Sequence, residues 1–132
     1  MLFRSVQREV ERGVPRERVV LAGFSQGGAL ALHTALREVA RLGGAVALSS
    51  YLPLASALRA EAHPANAGLP VFMAHGSRDE LLPMALGERS RDALRAAGYD
   101  VEWHAYPMPH SVCPEEISQL RDWLLRVLPA RA

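Results

Sequence analysis

Three side chains far apart in the chain, Ser25, Asp79 and His110, have the types needed for nucleophilic catalysis. A serine hydroxyl is a weak nucleophile at neutral pH until a base takes its proton. The base in turn needs an acceptor on its other ring nitrogen to hold one tautomer. Ser25 lies in Gly23-Phe24-Ser25-Gln26-Gly27, the G-x-S-x-G pattern of a nucleophile elbow, where a sharp strand-to-helix turn lifts the hydroxyl above the carboxyl edge of a parallel sheet. Chance alone puts this pattern in roughly one chain in 25 of this length, so its setting carries the weight. Val19-Val20-Leu21-Ala22 reads as a short buried strand and Ala29-Leu30-Ala31-Leu32 as a buried helix, which leaves Ser25 at the turn between them. Crowding at such a turn predicts glycine two residues before and two after the serine, at 23 and 27, while Gly28 lets the helix lie close to the sheet.

Five histidines compete for the role of base. His33 falls two turns down the elbow helix, His63 in an irregular stretch, His75 at a strand end and His104 inside a strand. His110 alone occupies a loop directly after a strand, at the carboxyl edge where open α/β sheets bind ligands. In elbow folds the acid follows the serine and precedes the histidine. Asp79 meets that order just after a strand; Glu80 is second choice because its side chain is longer and nearer the next helix. Glu88 and Asp92 fall on helix faces and read as solvated, as does Arg78 in its turn.

The positioning elements alternate. Leu2, Val6 and Val10 recur four apart in an amphipathic helix over 1–13 that Gly13 and Pro15 end. After the elbow strand and helix, Gly43-Gly44 breaks the chain and Ala45-Val46-Ala47-Leu48 makes a second strand. Residues 54–69 read as loop with at most one short helix. Pro70 to His75 is a third strand, and a helix starting at Pro83 carries Leu86, Ser90, Ala93, Leu94 and Ala97 inward until Gly98. Val101, Trp103 and Ala105 alternate in a fourth strand with one wetter face, residues 107–112 are loop, and a last helix from Pro114 buries Ile117, Leu120, Leu124, Val127 and Leu128. Glu115 and Glu116 sit in its first turn, where the helix dipole favours anions. Trp103 and Trp123 read as core. The alternation predicts an α/β fold, a parallel sheet with helices on both faces, and residues 1–132 as a single domain.

Bulk composition narrows the function classes. Fifteen basic and 14 acidic residues leave a formal charge of +1, too balanced for a nucleic-acid footprint or a polybasic membrane patch. A single cysteine, Cys113, rules out an internal disulfide and a cysteine-based metal cluster. Met1-Leu2-Phe3-Arg4-Ser5 lacks the apolar core of a signal peptide and no run is long enough to span a bilayer, so the expected location is cytoplasmic.

Four motifs in register, Gly23-Phe24-Ser25-Gln26-Gly27-Gly28, Leu48-Ser49-Ser50-Tyr51-Leu52-Pro53, His75-Gly76-Ser77-Arg78-Asp79-Glu80-Leu81-Leu82-Pro83 and Tyr106-Pro107-Met108-Pro109-His110-Ser111-Val112-Cys113, resemble the phospholipase/carboxylesterase family of α/β-hydrolases. That family includes the acyl-protein thioesterases. The resemblance runs through nearly the whole chain and implies Ser25 as nucleophile, Asp79 as orienting acid and His110 as base. It also implies one departure. The family's elbow strand is the fifth of about eight, and an earlier His-Gly-rich loop donates one oxyanion-hole amide. No segment here matches that loop. The expected fold is therefore an α/β-hydrolase truncated to its C-terminal four strands, with the Gln26 amide as one oxyanion donor and the elbow strand as an exposed edge.

The expected activity is a serine carboxylesterase, acting on small or medium acyl esters or thioesters through an acyl-enzyme, with no metal or organic cofactor. Leu52, Leu82 and Met108, just past strand ends, are candidates for an acyl pocket, against ordinary core packing. Two rivals stand: a peptidase or dienelactone-type hydrolase, and a non-catalytic α/β fragment. The open edge would be covered either by the rest of a longer esterase or by self-association to a homodimer. No nucleic-acid or membrane partner is expected.

Overall fold

Side chains alternate across a strand, so each apolar strand of this chain can feed two cores at once. The computed structural model describes residues 2–129 and contains β1 (Val20–Phe24), β2 (Gly44–Leu48), β3 (Pro70–Gly76) and β4 (Asp100–Tyr106), all parallel and in the order β1-β2-β3-β4. Between and around them run α1 (Leu2–Glu11), α2 (Gln26–Arg37), the short α3 (Leu58–Glu61), α4 (Met84–Ala96) and α5 (Pro114–Val127). On one face Leu21, Ala45, Ala47, Val71, Met73 and Val101 pack with Val6 of α1, Leu32 and Leu36 of α2, Leu58 of α3 and Leu94 of α4. On the other, Val46, Phe72 and Ala74 pack against Trp123 of α5. This is the expected architecture, with helices on both faces.

Several details depart from the pattern. Met1 and the side chain of Leu2 lie outside the described residues, while Val6 is buried in the core and Val10 half-buried. Residues 54–69 hold α3 flanked by two single 3₁₀ turns rather than open loop. The buried stripe of α5 is rotated: Ile117 is 51% exposed, whereas Glu116 and Trp123 are buried. The cause is the Trp123 indole, which lies against Gly44, where an added Cβ would stand 2.8 Å from the ring. Placing that ring inward turns position 117 out. Trp103 is only half-buried, at the outer strand, with the Arg91 guanidinium 4.9 Å from its ring centroid.

The two central strands are apolar almost throughout, as strands buried on both faces must be. β1 pairs with β2 alone, and Ala22, Phe24 and Leu30 on and beside it are exposed, so the elbow strand is an open edge. Among the described residues no helix is long and apolar enough to cross a membrane.

Candidate active site

The carboxyl ends of β1, β3 and β4 bring the sequence-separated residues to one rim. Ser25 caps α2 with φ 58° and ψ −122°, a sparsely populated conformation for a residue with a side chain, costing of order 1–3 kcal/mol. What holds it there is a ring of short contacts. The Ser25 amide donates to the Leu48 carbonyl at 2.8 Å, while its own carbonyl accepts from the Gly28 and Ala29 amides and from Ser50 Oγ at 2.7 Å. A Cβ on Gly23 would stand 2.1 Å from the Gly27 carbonyl carbon, and one on Gly28 would stand 2.8 Å from the Ser50 side chain. Both glycines are sterically required. Position 27 differs from expectation: a Cβ there would meet nothing within 4 Å, because it points away from the strand into the open side of the turn.

Asp79 lies in the loop after β3 with its side chain fully buried. Its Oδ1 accepts from the Leu81 amide at 2.9 Å and the Leu82 amide at 2.8 Å, and its Oδ2 accepts from His110 Nδ1 at 2.6 Å. Burial pushes this carboxyl up, but the Leu82 amide, then the bond to and charge of His110, and the Leu81 amide together bring it below its ordinary range. Glu80, the second candidate, is exposed, and the His110 ring bonds to Asp79 instead.

His110 follows β4 and places Nε2 3.1 Å from Ser25 Oγ, so the three groups form one hydrogen-bonded line. The loops carrying the acid and the base are tied together. Ser77 and Arg78 donate backbone N–H bonds to the Tyr106 and Met108 carbonyls, and the Arg78 guanidinium donates to the Pro107 carbonyl at 2.5 Å. Gly76 makes this crossing possible, since a Cβ would stand 2.2 Å from the Met108 oxygen. Phe24 flanks the His110 ring, centroids 4.7 Å apart.

Gln26 is the first residue of α2, directly after Ser25, so its amide has no intrahelical acceptor. An open groove of about 520 Å³ adjoins His110, lined by Arg78, Glu80, Leu81 and Pro109. The three pocket candidates lie elsewhere. Leu52 and Met108 are packed in the two cores, and Leu82 contributes backbone groups to the Asp79 loop. Leu52 and Met108 turn inward, where apolar contact is available, as the core-packing alternative has it. Cys113 caps α5 as a free thiol.

Sequence reasoning passed over Ser50 and His75. Ser50 is buried against the elbow; its signal was a serine pair directly after a buried strand, on the rim that carries Ser25. His75 is buried beneath Asp79. Its position at the end of an apolar strand marks it only as a histidine needing a partner. Among the described residues no group of three or more His, Cys, Asp or Glu could hold a metal ion.

Residues 1–128 match the family described as Phospholipase/Carboxylesterase. The chain is similar to Acyl-protein thioesterase 1 of Neurospora crassa, 44% identical over 128 residues that cover 94% of this chain and 52% of that protein. Acyl-protein thioesterase 1 of Gibberella zeae is 41% identical over 129 residues, covering 96% of this chain and 55% of the relative. The crystal structure of Arabidopsis thaliana SOBER1 superposes with a TM-score of 0.88 at 31% identity, covering 93% of this chain and 59% of that one. The chain thus spans about half the length of the thioesterases it matches.

Proposed function

The chain belongs to the phospholipase/carboxylesterase family of α/β-hydrolases, and from that premise we propose that it carries the reaction centre of a serine hydrolase for acyl esters or thioesters. Ser25 Oγ attacks the carbonyl carbon as His110 Nε2 takes its proton, and the ionised Asp79 holds the imidazolium that forms. The Gln26 amide donates to the developing oxyanion. His110 then gives the proton to the leaving alcohol or thiol, and a water activated by the same imidazole hydrolyses the acyl-enzyme. The groove beside His110, with apolar Leu81 and Pro109 between charged Arg78 and Glu80, takes the adjoining part of the substrate.

The observation that carries this reading is the unbroken line Asp79–His110–Ser25 at 2.6 Å and 3.1 Å. The thioester option is supported by the relatives named acyl-protein thioesterases. A homodimer closing the unpaired side of β1 belongs to the same reading.

The test is covalent labelling with a fluorophosphonate, alongside hydrolysis of p-nitrophenyl esters. The expected result is one label per chain, lost in Ser25→Ala. A folded chain that takes no label would overturn the proposal in favour of a non-catalytic fragment, and cleavage of peptide anilides without ester turnover would replace esterase with peptidase.

A further inference from the structure

The strongest unused group in the molecule is a second imidazole beneath the acid. His75 is 1% exposed and its Nε2 lies 2.7 Å from the Leu82 carbonyl oxygen. A carbonyl only accepts, so that nitrogen carries the hydrogen. The same Nε2 is 3.5 Å from Asp79 Oδ2, the oxygen that His110 Nδ1 contacts at 2.6 Å. One carboxylate oxygen therefore stands between two imidazoles.

The surroundings fix the His75 ring in this pose. Trp103 of β4 stacks on it, centroids 6.3 Å apart at 20°. Gly87 of α4 abuts its other edge, where a Cβ would stand 2.6 Å from Nδ1. The charged and titratable groups around it are Asp79 in its own loop, His110 beyond that carboxylate, and Arg91 of α4, which lies over the Trp103 ring.

We propose that His75 is a positioning residue for the reaction proposed above, bracing Asp79 from below: its Nε2–H ties down the Leu82 end of the acid loop and shares the oxygen that orients His110. The inference rests on the reading of Ser25, His110 and Asp79 as the reacting line. The brace acts twice. By holding the Leu82 carbonyl it fixes the turn whose amides grip Asp79 Oδ1. By drawing on Oδ2 it competes for the oxygen that His110 Nδ1 contacts, so its loss leaves that oxygen to the His110 ring alone.

The variants are His75→Leu, which removes the donor at similar volume, and His75→Gln, whose amide N–H reaches the position of Nε2. The readouts are the rate of fluorophosphonate labelling across pH, the low-field proton of the His110 Nδ1–H bond by NMR, and the melting temperature. His75→Leu is expected to slow labelling at pH 7 by about tenfold or more, to move the acidic limb of the profile to higher pH, and to shift the low-field proton. His75→Gln should recover most of the rate and leave the limb in place. Wild-type rate and limb in His75→Leu would overturn the proposal, and so would a His75→Gln as impaired as His75→Leu, since the packing of the ring would then be what matters. Should His75→Leu give no cooperative melt, Gly87→Ala decides. It presses on the Nδ1 edge while keeping the imidazole, so a slowed, shifted profile supports the brace and an unchanged one refutes it. If the unsubstituted chain takes no label, the hydrolase reading fails, and the low-field proton alone tests the brace: a resonance unmoved by His75→Leu refutes it.

Discussion

Among the described residues two carboxylates are buried, one in the loop after β3 and one in the first turn of α5, and their surroundings drive them in opposite directions. Both Asp79 oxygens have partners: two backbone amides on Oδ1 and an imidazole on Oδ2. Glu116 has one, the Cys113 amide at 3.2 Å on Oε1, and its Oε2 is buried without any. Burial pushes both up. At Asp79 the donors win and the carboxyl falls below its ordinary range; at Glu116 the single amide recovers only part and the carboxyl stays raised. Both side chains are out of solvent, so the number of aimed donors decides the direction in which each acid moves from its ordinary value. A helix N-terminus alone does not make an anion site, because Glu116 has that too.

The largest effect that would break this contrast is on the acid with the full set of donors. In Asp79→Asn the amide oxygen can still accept from Leu81 and Leu82, but the amide N–H₂ then faces His110 Nδ1. The imidazole must place its hydrogen on Nε2, toward Ser25, where it can no longer take the proton. Fluorophosphonate labelling and ester turnover should fall by about 10⁴-fold, with the elbow unchanged. A loss of less than tenfold would mean the donors around Asp79 matter for folding and not for chemistry.

The smaller counterpart is in stability. The folded-state carboxyl of Asp79 lies below its ordinary 3.8, so its contribution is present above that value and is lost as pH falls through the folded value. Urea unfolding should therefore show wild type more stable than Asp79→Asn at pH 7, by about 1–3 kcal/mol, with the gap closing on acidification. A gap independent of pH would remove the ionised carboxylate from the account.

How far the residues announced this arrangement differs from place to place. Ser25, Asp79 and His110 were legible because loops after parallel strands meet at one rim, and chain order restricted the acid. The four strands were legible from apolar runs bounded by glycine and proline. The rotation of α5 was not, because its apolar residues fit two neighbouring stripes and only the bulk of Trp123 against Gly44 chooses between them. Gly23 and Gly27 looked equivalent in the motif, yet only Gly23 is crowded. Sequence spacing says which residues approach, not which way a Cβ would point. Leu52 and Met108 left two readings open for a related reason: a strand end supplies both rim and core positions, and here both side chains join the cores.

The last way to sharpen the comparison is at Glu116, where the sign reverses. Its folded-state carboxyl lies above the ordinary 4.5, so its protonated form favours the fold. That contribution is complete below the ordinary value and lost as pH rises through the raised one. Glu116→Gln keeps an oxygen for the Cys113 amide and carries no charge at any pH. The new amide N–H₂ replaces an oxygen that already lacks a partner, and the protonated parent has a comparable orphan donor, so that cost is common to both at low pH. Urea unfolding should find the two proteins equal near pH 4 and Glu116→Gln more stable by about 1 kcal/mol at pH 8. A variant that is no better at pH 8 than at pH 4 would show that Glu116 finds its missing donor on ionising, and the contrast with Asp79 would then rest on partners alone.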